Sequence, residues 1–565
     1  MNLNAPQRQA VLHKEGPCLV IAGPGSGKTA VLTQRVRALI NSGVPADQVL
    51  VITFTKAAAI EMKERFEGIS EEKSPVTFGT FHSLFWGIIQ KELGYKNSDI
   101  IMGQMRDRIW KEAMYLAGED EDDIPRKYAY LKDKYHVVDF DDMLSKAYEL
   151  FINKPAVLAK WQKRFSYFLV DEMQDMNDLQ FKLICMLSAK TKNLFSVGDD
   201  DQSIYGFRGA NPKIMLDFEE KFPGAEKIIL DYNYRNPENI VEAAGRLIEV
   251  NKNRFSKEIK STAPIGDIKV NESFSPEEEA EYILKKVLGL HNDGSPYDEI
   301  AILYRNHSDA RYLVDKLVNS DIPFYLKEHM PNIYTHFIIA DIEAYFQLAL
   351  GNITKTRLLG ILNRPNRYLH RQSLEKGASK KAMLDFYRVH PVNYRTVEAL
   401  WADIELIGKM SPVAAVSYIR KAMGYETFLI EESVAKQVEV GEYYEILDFI
   451  TGVFRECRTI RQAIDKLNIL RLKIDYENKN TSVDKRGKVG LYTLHSSKGL
   501  EFDNVFIIAA NDGIIPSNKV ENREDMEGER RLFYVGITRA KRKLFISYTN
   551  KKNRDKSRFL DEMKL

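Results

Sequence analysis

A chain of 565 residues is too long for one hydrophobic core and calls for several domains. Its 44% apolar and 29% charged content is that of an ordinary globular protein, and no apolar run approaches the length that crosses a bilayer. A net charge of +2 excludes a uniformly basic nucleic-acid binder, and Cys18, Cys185 and Cys457 are too scattered for a disulfide framework or a zinc site.

In chain order, Cys18-Leu19-Val20-Ile21 reads as a strand and Val31 to Val36 as the start of a helix. Between them lies Ala22-Gly23-Pro24-Gly25-Ser26-Gly27-Lys28-Thr29. A glycine-rich turn from strand into helix lets backbone N–H groups close around an anion, and the helix adds its positive dipole end. Lys28 is expected on the outer phosphates of a nucleoside triphosphate, with the Thr29 hydroxyl on Mg²⁺. Val49 to Phe54 predicts a second strand. Tyr167 to Val170 predicts another, ending in Asp171-Glu172. A carboxylate pair at such an end can divide its work: Asp171 holds Mg²⁺, and Glu172 orients and deprotonates the attacking water. Leu194 to Val197 leads into Gly198 and then to Gln202, a neutral group able to sense the terminal phosphate without competing for the metal.

A second set of strands is expected at 300–304, 489–494, 505–508 and 544–547, with no phosphate-binding loop of its own. The chain therefore reads as α/β, with two units built on mainly parallel sheets. Two arginine-bearing segments, Asn233-Tyr234-Arg235-Asn236 and Glu529 to Ala540 with Arg539, can reach nucleotide held by the first unit. An arginine supplied across a cleft makes hydrolysis depend on cleft closure. The acidic cluster Glu119 to Asp123 reads as an exposed loop, and the basic run Lys551 to Arg558 as a solvated face.

Taken in order, Leu3-Asn4-Ala5-Pro6-Gln7, the loop at 22–29, Thr80-Phe81-His82-Ser83, Val170 to Asp175, Val197 to Ala210, the Arg235 and Arg539 segments, and Thr493 to Phe502 resemble the motifs of the UvrD/Rep family of superfamily 1A DNA helicases. The resemblance runs along nearly the whole chain. It implies two RecA-like cores, 1–85 with 161–231 and 232–330 with 485–565, interrupted by helical insertions at 86–160 and 331–484. It also implies ATP with Mg²⁺ between the cores, Gln7 on the adenine edge, Tyr234 stacked on adenine, and Glu501, Arg235 and Arg539 facing the P-loop. Single-stranded DNA is expected against Phe54, Thr80, Phe81, His82, Tyr205, Phe207, Arg208 and His495, since aromatic faces and local positive charge grip a strand without reading its sequence.

The chain departs from the family pattern in several places, among them the segment Tyr334 to Ile342, which stands where an arginine-bearing stretch is expected. Ala30 follows the P-loop threonine where an arginine is frequent, Lys56 is displaced by one place, and Phe207 stands at a tryptophan position. The implied activity is 3′→5′ translocation and unwinding of tailed duplex DNA, by a cytoplasmic monomer or weak dimer. A DNA-stimulated translocase that needs a protein partner, for example in antiviral defence, and a nucleotide-switched binding protein are the alternatives.

Overall fold

The apolar runs become strands of two parallel sheets in a computed structural model that describes residues 3–69, 75–118, 120–480, 485–550 and 555–565. The first sheet takes β1 (Cys18–Ala22), β2 (Val49–Thr53), β3 (Thr77–Thr80), β4 (Tyr167–Val170), β5 (Leu194–Gly198) and β6 (Glu226–Leu230), in the order β3-β2-β4-β5-β1-β6. Every pairing is parallel. The chain then makes a short pair, β7 (Tyr232–Pro237) with β8 (Lys260–Ala263), before the second sheet. That sheet comprises β9 (Asp267–Ser273), β10 (Ile300–Tyr304), β11 (Phe324–Leu326), β12 (Val489–Thr493), β13 (Phe502–Ile507) and β14 (Ala540–Thr549), in the order β11-β12-β10-β13-β14-β9, again all parallel.

Helices cover both faces of a parallel sheet, so its strands need no polar face. β1, β2, β5 and β10 are accordingly buried at every residue. Because the first sheet is parallel, residues following β1, β2, β3, β4 and β5 emerge along one rim, where ligands gather in open α/β folds. The P-loop, Phe54, His82, Asp171 and Asp199 all stand on that rim.

The insertion expected over 86–160 divides differently. The helix Phe81–Leu93 runs straight through the anticipated boundary, and Phe81, Phe85, Ile88 and Ile89 join the core of the first sheet. So do Met143, Leu144, Ala147, Leu150 and Phe151 of the helix Phe140–Asn153. A separate small core forms around Ile101, Ile109, Ala113, Tyr128 and Leu131, and a bridge between Ile100 and Val138 closes its neck. The helices from Phe337–Ala349 to Ile460–Lys479 make up the second insertion, and their core is continuous with Ile302, Phe324, Val489 and Leu491 of the second sheet.

Cys18 is buried in β1, while Cys185 is half-buried. Of the acidic cluster, Asp120 to Asp122 are exposed and Glu119 lies outside the described residues. The first four residues of the basic run, 551–554, also lie outside them, and Arg558 is paired with Asp512 at 2.8 Å. Among the described residues no helix is long and apolar enough to cross a membrane.

Candidate functional site

The P-loop is shaped by its glycines. Gly25 and Gly27 have φ of +66° and +85°, a region that L side chains avoid, and Gly27 caps the helix Lys28–Asn41. A Cβ at Gly25 would lie 2.5 Å from Asn233 Oδ1 and 2.6 Å from Arg235 Cβ, so the second lobe sits directly against the turn. The Ser26 hydroxyl donates to Gly23 O at 2.8 Å, which tightens the loop from within, while Ala22 and Pro24 are buried beneath it.

Two buried polar atoms here lack a hydrogen-bond partner among the described residues: Lys28 Nζ and Asp171 Oδ1. Such groups cost free energy unless something completes them. The ammonium and the carboxylate oxygen, next to half-buried Thr29, suit a phosphate–Mg²⁺ group, so the donor set fits the implied ligand. Burial and the neighbouring Glu172 push the Asp171 carboxyl up to about 7, against the pull of Lys28. Burial works against the charge on Glu172 too, but Lys28, whose Nζ is 3.7 Å from Oε2, and Lys498 hold its pKa below the usual range. Glu172 has φ of +52°, a left-handed conformation that a non-glycine residue keeps only when its surroundings impose it. Gln174 is part of what imposes it, donating to Glu172 Oε2 while its own Oε1 accepts from Asp199 N at 2.9 Å.

The far lobe closes over this arrangement. Tyr234 N donates to Gly25 O at 2.9 Å. Gln202 Nε2 donates to Asp199 Oδ2 at 2.6 Å, and its Oε1 accepts from Arg539 Nη2 at 3.4 Å. Arg539 is fully buried, anchored on Val535 O and Leu500 O, and burial together with nearby Arg235 lowers its pKa to about 9. Arg235 Nε donates to Glu501 Oε2 at 2.6 Å, and the Arg235 Cβ stands against the Gly25 turn. Gln7 is committed within the protein: Nε2 donates to Ser26 O at 2.9 Å and Oε1 accepts from Asn4 N at 3.1 Å. It braces the P-loop rather than presenting a free amide. Tyr234 is half-exposed, with its hydroxyl accepting from Asn4 Nδ2.

Aromatic residues cluster beside this site. Phe54 and Tyr205 stack at 5.3 Å, Tyr205 and Phe207 are 6.1 Å apart, and His495 meets Phe207 edge-on at 5.3 Å. Phe207 is 67% exposed, and Arg208 lies over both neighbouring rings. Thr80 caps the helix that carries His82, whose ring is set edge-on to Phe140. Phe81 is a correction: at 4% exposure it packs into the core and offers no stacking face. Sequence reasoning assigned no role to Lys498, although it lies within a quoted motif. Its ammonium donates to Asp175 and to Gln202 O, and it sits 5.0 Å over the Tyr205 ring. One side chain of the second lobe thus touches both the loop that carries Gln202 and the aromatic cluster of the first.

Two RecA-like lobes, one bearing a P-loop and the other placing buried Arg539 on Gln202 of the first, define the fold of a P-loop enzyme. The sequence pattern of the UvrD/REP helicase N-terminal domain matches residues 3–109 and 110–223, and that of the UvrD-like helicase C-terminal domain matches 228–398 and 413–551. The chain belongs to the UvrD/Rep helicase family. It is similar to the YjcD protein of Bacillus subtilis, at 33% identity over 99% of this chain and 81% of the relative. The ATP-dependent DNA helicase Rep of Buchnera aphidicola is 31% identical over 98% of this chain and 95% of its own. For the ATP-dependent DNA helicase PcrA of Staphylococcus epidermidis the identity is 31%, over 97% and 83%.

Proposed function

We propose that this chain is a 3′→5′ DNA translocase and helicase that couples ATP hydrolysis at the seam to movement along single-stranded DNA. The helicase class follows from family membership. The observation that carries the coupling is the physical continuity between the two sites. Gln202, bonded to Arg539 of the far lobe, is three residues from Tyr205 of the aromatic cluster, and Lys498 contacts both. In this reading closure of the seam carries the stacking faces with it.

In this reading Lys28 and the P-loop amides hold the phosphates, with Tyr234 toward the base and Gln7 bracing the loop from behind. Glu172 takes the proton of the attacking water, and its strained backbone and Gln174 contact fix the carboxylate for that task. Arg539 and Arg235 stabilise charge on the transferred phosphoryl, and Glu501 keeps Arg235 aligned. A Mg²⁺ ion held by Thr29 and Asp171 would neutralise phosphate charge. Phe54, Tyr205, Phe207 and His495, with Arg208, pass bases between stacks, each stack contributing about 1–3 kcal/mol. Strand displacement tests the proposal: a duplex with a 3′ single-stranded tail is unwound in the presence of ATP, and one with only a 5′ tail is not. Equal unwinding of both, or of the 5′-tailed duplex alone, overturns the polarity. ATP hydrolysis indifferent to single-stranded DNA overturns the coupling.

A further inference from the structure

The segment 251–259, between the helix Glu238–Ile248 and β8, grips both lobes at once. Its beginning belongs to the second lobe: Asn251 Nδ2 donates to Glu527 O at 3.1 Å, Asn251 Oδ1 accepts from Arg530 Nη1 at 2.6 Å, and Lys252 N donates to Glu527 Oε1 at 3.0 Å. Its middle docks on the loop that follows β5 in the first lobe. Arg254 forks onto the two Asp201 oxygens at 2.8 Å each, and Phe255 N donates to Asp200 Oδ2 at 2.9 Å. Lys257 completes the anchor. Its Nζ lies 2.6 Å from Asp199 Oδ1, 2.6 Å from Asp200 Oδ1 and 2.9 Å from Asp201 Oδ2, and all four side chains are at most 1% exposed.

Three carboxylates converging this closely have the layout of a cation site, and the cation is the ammonium of Lys257. Burial disfavours its charge, but the three aspartates raise its pKa well above the ordinary lysine value. Burial likewise opposes the charge on Asp199, which Lys257 and Lys28 overcome. The key group is Asp199, because its two oxygens face different ways. Oδ1 is on Lys257, and Oδ2 accepts from Gln202 Nε2 at 2.6 Å. A carboxamide has one donating and one accepting end, so fixing its Nε2 on an acid decides where Oε1 points. In Gln202 it points at Arg539.

We propose that Lys257 is a positioning residue for hydrolysis: by holding Asp199 it fixes the Gln202 amide with its oxygen toward Arg539, and it ties that orientation to the segment's seat on the second lobe. The inference rests on the motor reading above and adds to it a route by which lobe geometry reaches the phosphate-sensing glutamine. The three tetrahedral N–H donors of an ammonium match three converging oxygens, which a planar guanidinium cannot do, so Lys257→Arg does not restore function.

The test compares wild type with Lys257→Met, the double variant Lys257→Met/Asp200→Asn, and Asp199→Asn. ATP turnover is measured with saturating single-stranded DNA, alongside KM for ATP and the melting temperature. Misplacement of a group by about 1 Å can lower turnover about 10²-fold, and a loss of that order in kcat with little change in KM is expected for Lys257→Met and Asp199→Asn. The double variant removes one charge of each sign, so its melting temperature recovers while kcat does not. Wild-type kcat in Lys257→Met or Asp199→Asn overturns the proposal. So does recovery of kcat together with melting temperature in the double variant, which would reduce Lys257 to charge balance. If the Lys257 variants do not fold, the near-isosteric Asp199→Asn decides alone. A wild-type protein without DNA-stimulated turnover counts against the motor reading, whereas normal wild-type turnover with unaffected variants counts only against this relay.

Discussion

Glu172→Gln keeps the side-chain shape and removes its charge and basicity. Glu172 Oε2 lies 3.7 Å from Lys28 Nζ. At an effective dielectric of about 20, an ion pair at that separation is worth about 4 kcal/mol before desolvation. Removing the negative charge leaves Lys28 more available to phosphate, so ATP binding should hold or tighten. Turnover should fall by about 10²–10⁴-fold, the usual contribution of a general base. The retained amide oxygen can still accept from Gln174, so the backbone at φ +52° need not relax and the loss is chemical rather than structural. Phosphate release with saturating oligothymidine, set beside titration with a fluorescent non-hydrolysable ATP analogue, separates the two effects. Wild-type turnover in the variant would remove Glu172 from the role of base, and loss of nucleotide binding would show that the residue builds the pocket instead.

Gly25→Ala should weaken nucleotide binding: the left-handed backbone costs an alanine about 1–2 kcal/mol, and the new Cβ, 2.6 Å from Arg235 Cβ, pushes the far lobe off the P-loop. Unaltered affinity in the same titration contradicts this. Phe207→Ala should weaken single-stranded DNA binding by about 1–3 kcal/mol in an anisotropy assay, with no change in melting temperature. Phe81→Ala should instead destabilise the fold by about 3–5 kcal/mol, and the reverse pattern would overturn the assignment of which ring is core. Burial and Arg305 push His495 down to about 4, so the folded protein prefers the neutral ring. The unfolded chain takes up the proton near pH 6.5, so this stabilisation is complete above about pH 6.5 and is lost as pH falls toward about 4, at up to about 1.4 kcal/mol per unit. His495→Gln should flatten that slope in denaturant melts between pH 7.5 and 5, and an equal slope in both proteins contradicts it.

How much of this was legible in the sequence depended on how local the cause was. Strands such as β1, β2 and β10 could be read because burial on both faces demands an unbroken apolar run. Asp171, Glu172 and Gln202 could be read because each follows such a run, and parallel pairing then delivers all three to one rim. No break in the core falls at 86, and the signal for that is local: Phe81, Phe85, Ile88 and Ile89 repeat at helical spacing and continue one core-facing stripe. The polar turn before Phe207 signals an exposed ring, whereas Phe81 taken alone reads better as core than as a DNA contact, and the packing separates them in that way. Lys257, by contrast, was illegible. Its partners Asp199 and Asp200 are 58 and 57 residues away, and no spacing rule links a lysine after one helix to a triple aspartate after a strand in the other lobe. Lys498 reaches Gln202 across 296 residues and poses the same difficulty.

The central claim is that the second lobe completes the reaction centre and that DNA controls its doing so. Steady-state ATP turnover of wild type and Arg539→Ala, each with and without single-stranded DNA, addresses it most directly. The account predicts strong stimulation of wild type by DNA, and a loss of about 10³-fold or more in Arg539→Ala with ATP still bound. Arg539→Ala hydrolysing ATP at the wild-type, DNA-stimulated rate would contradict it.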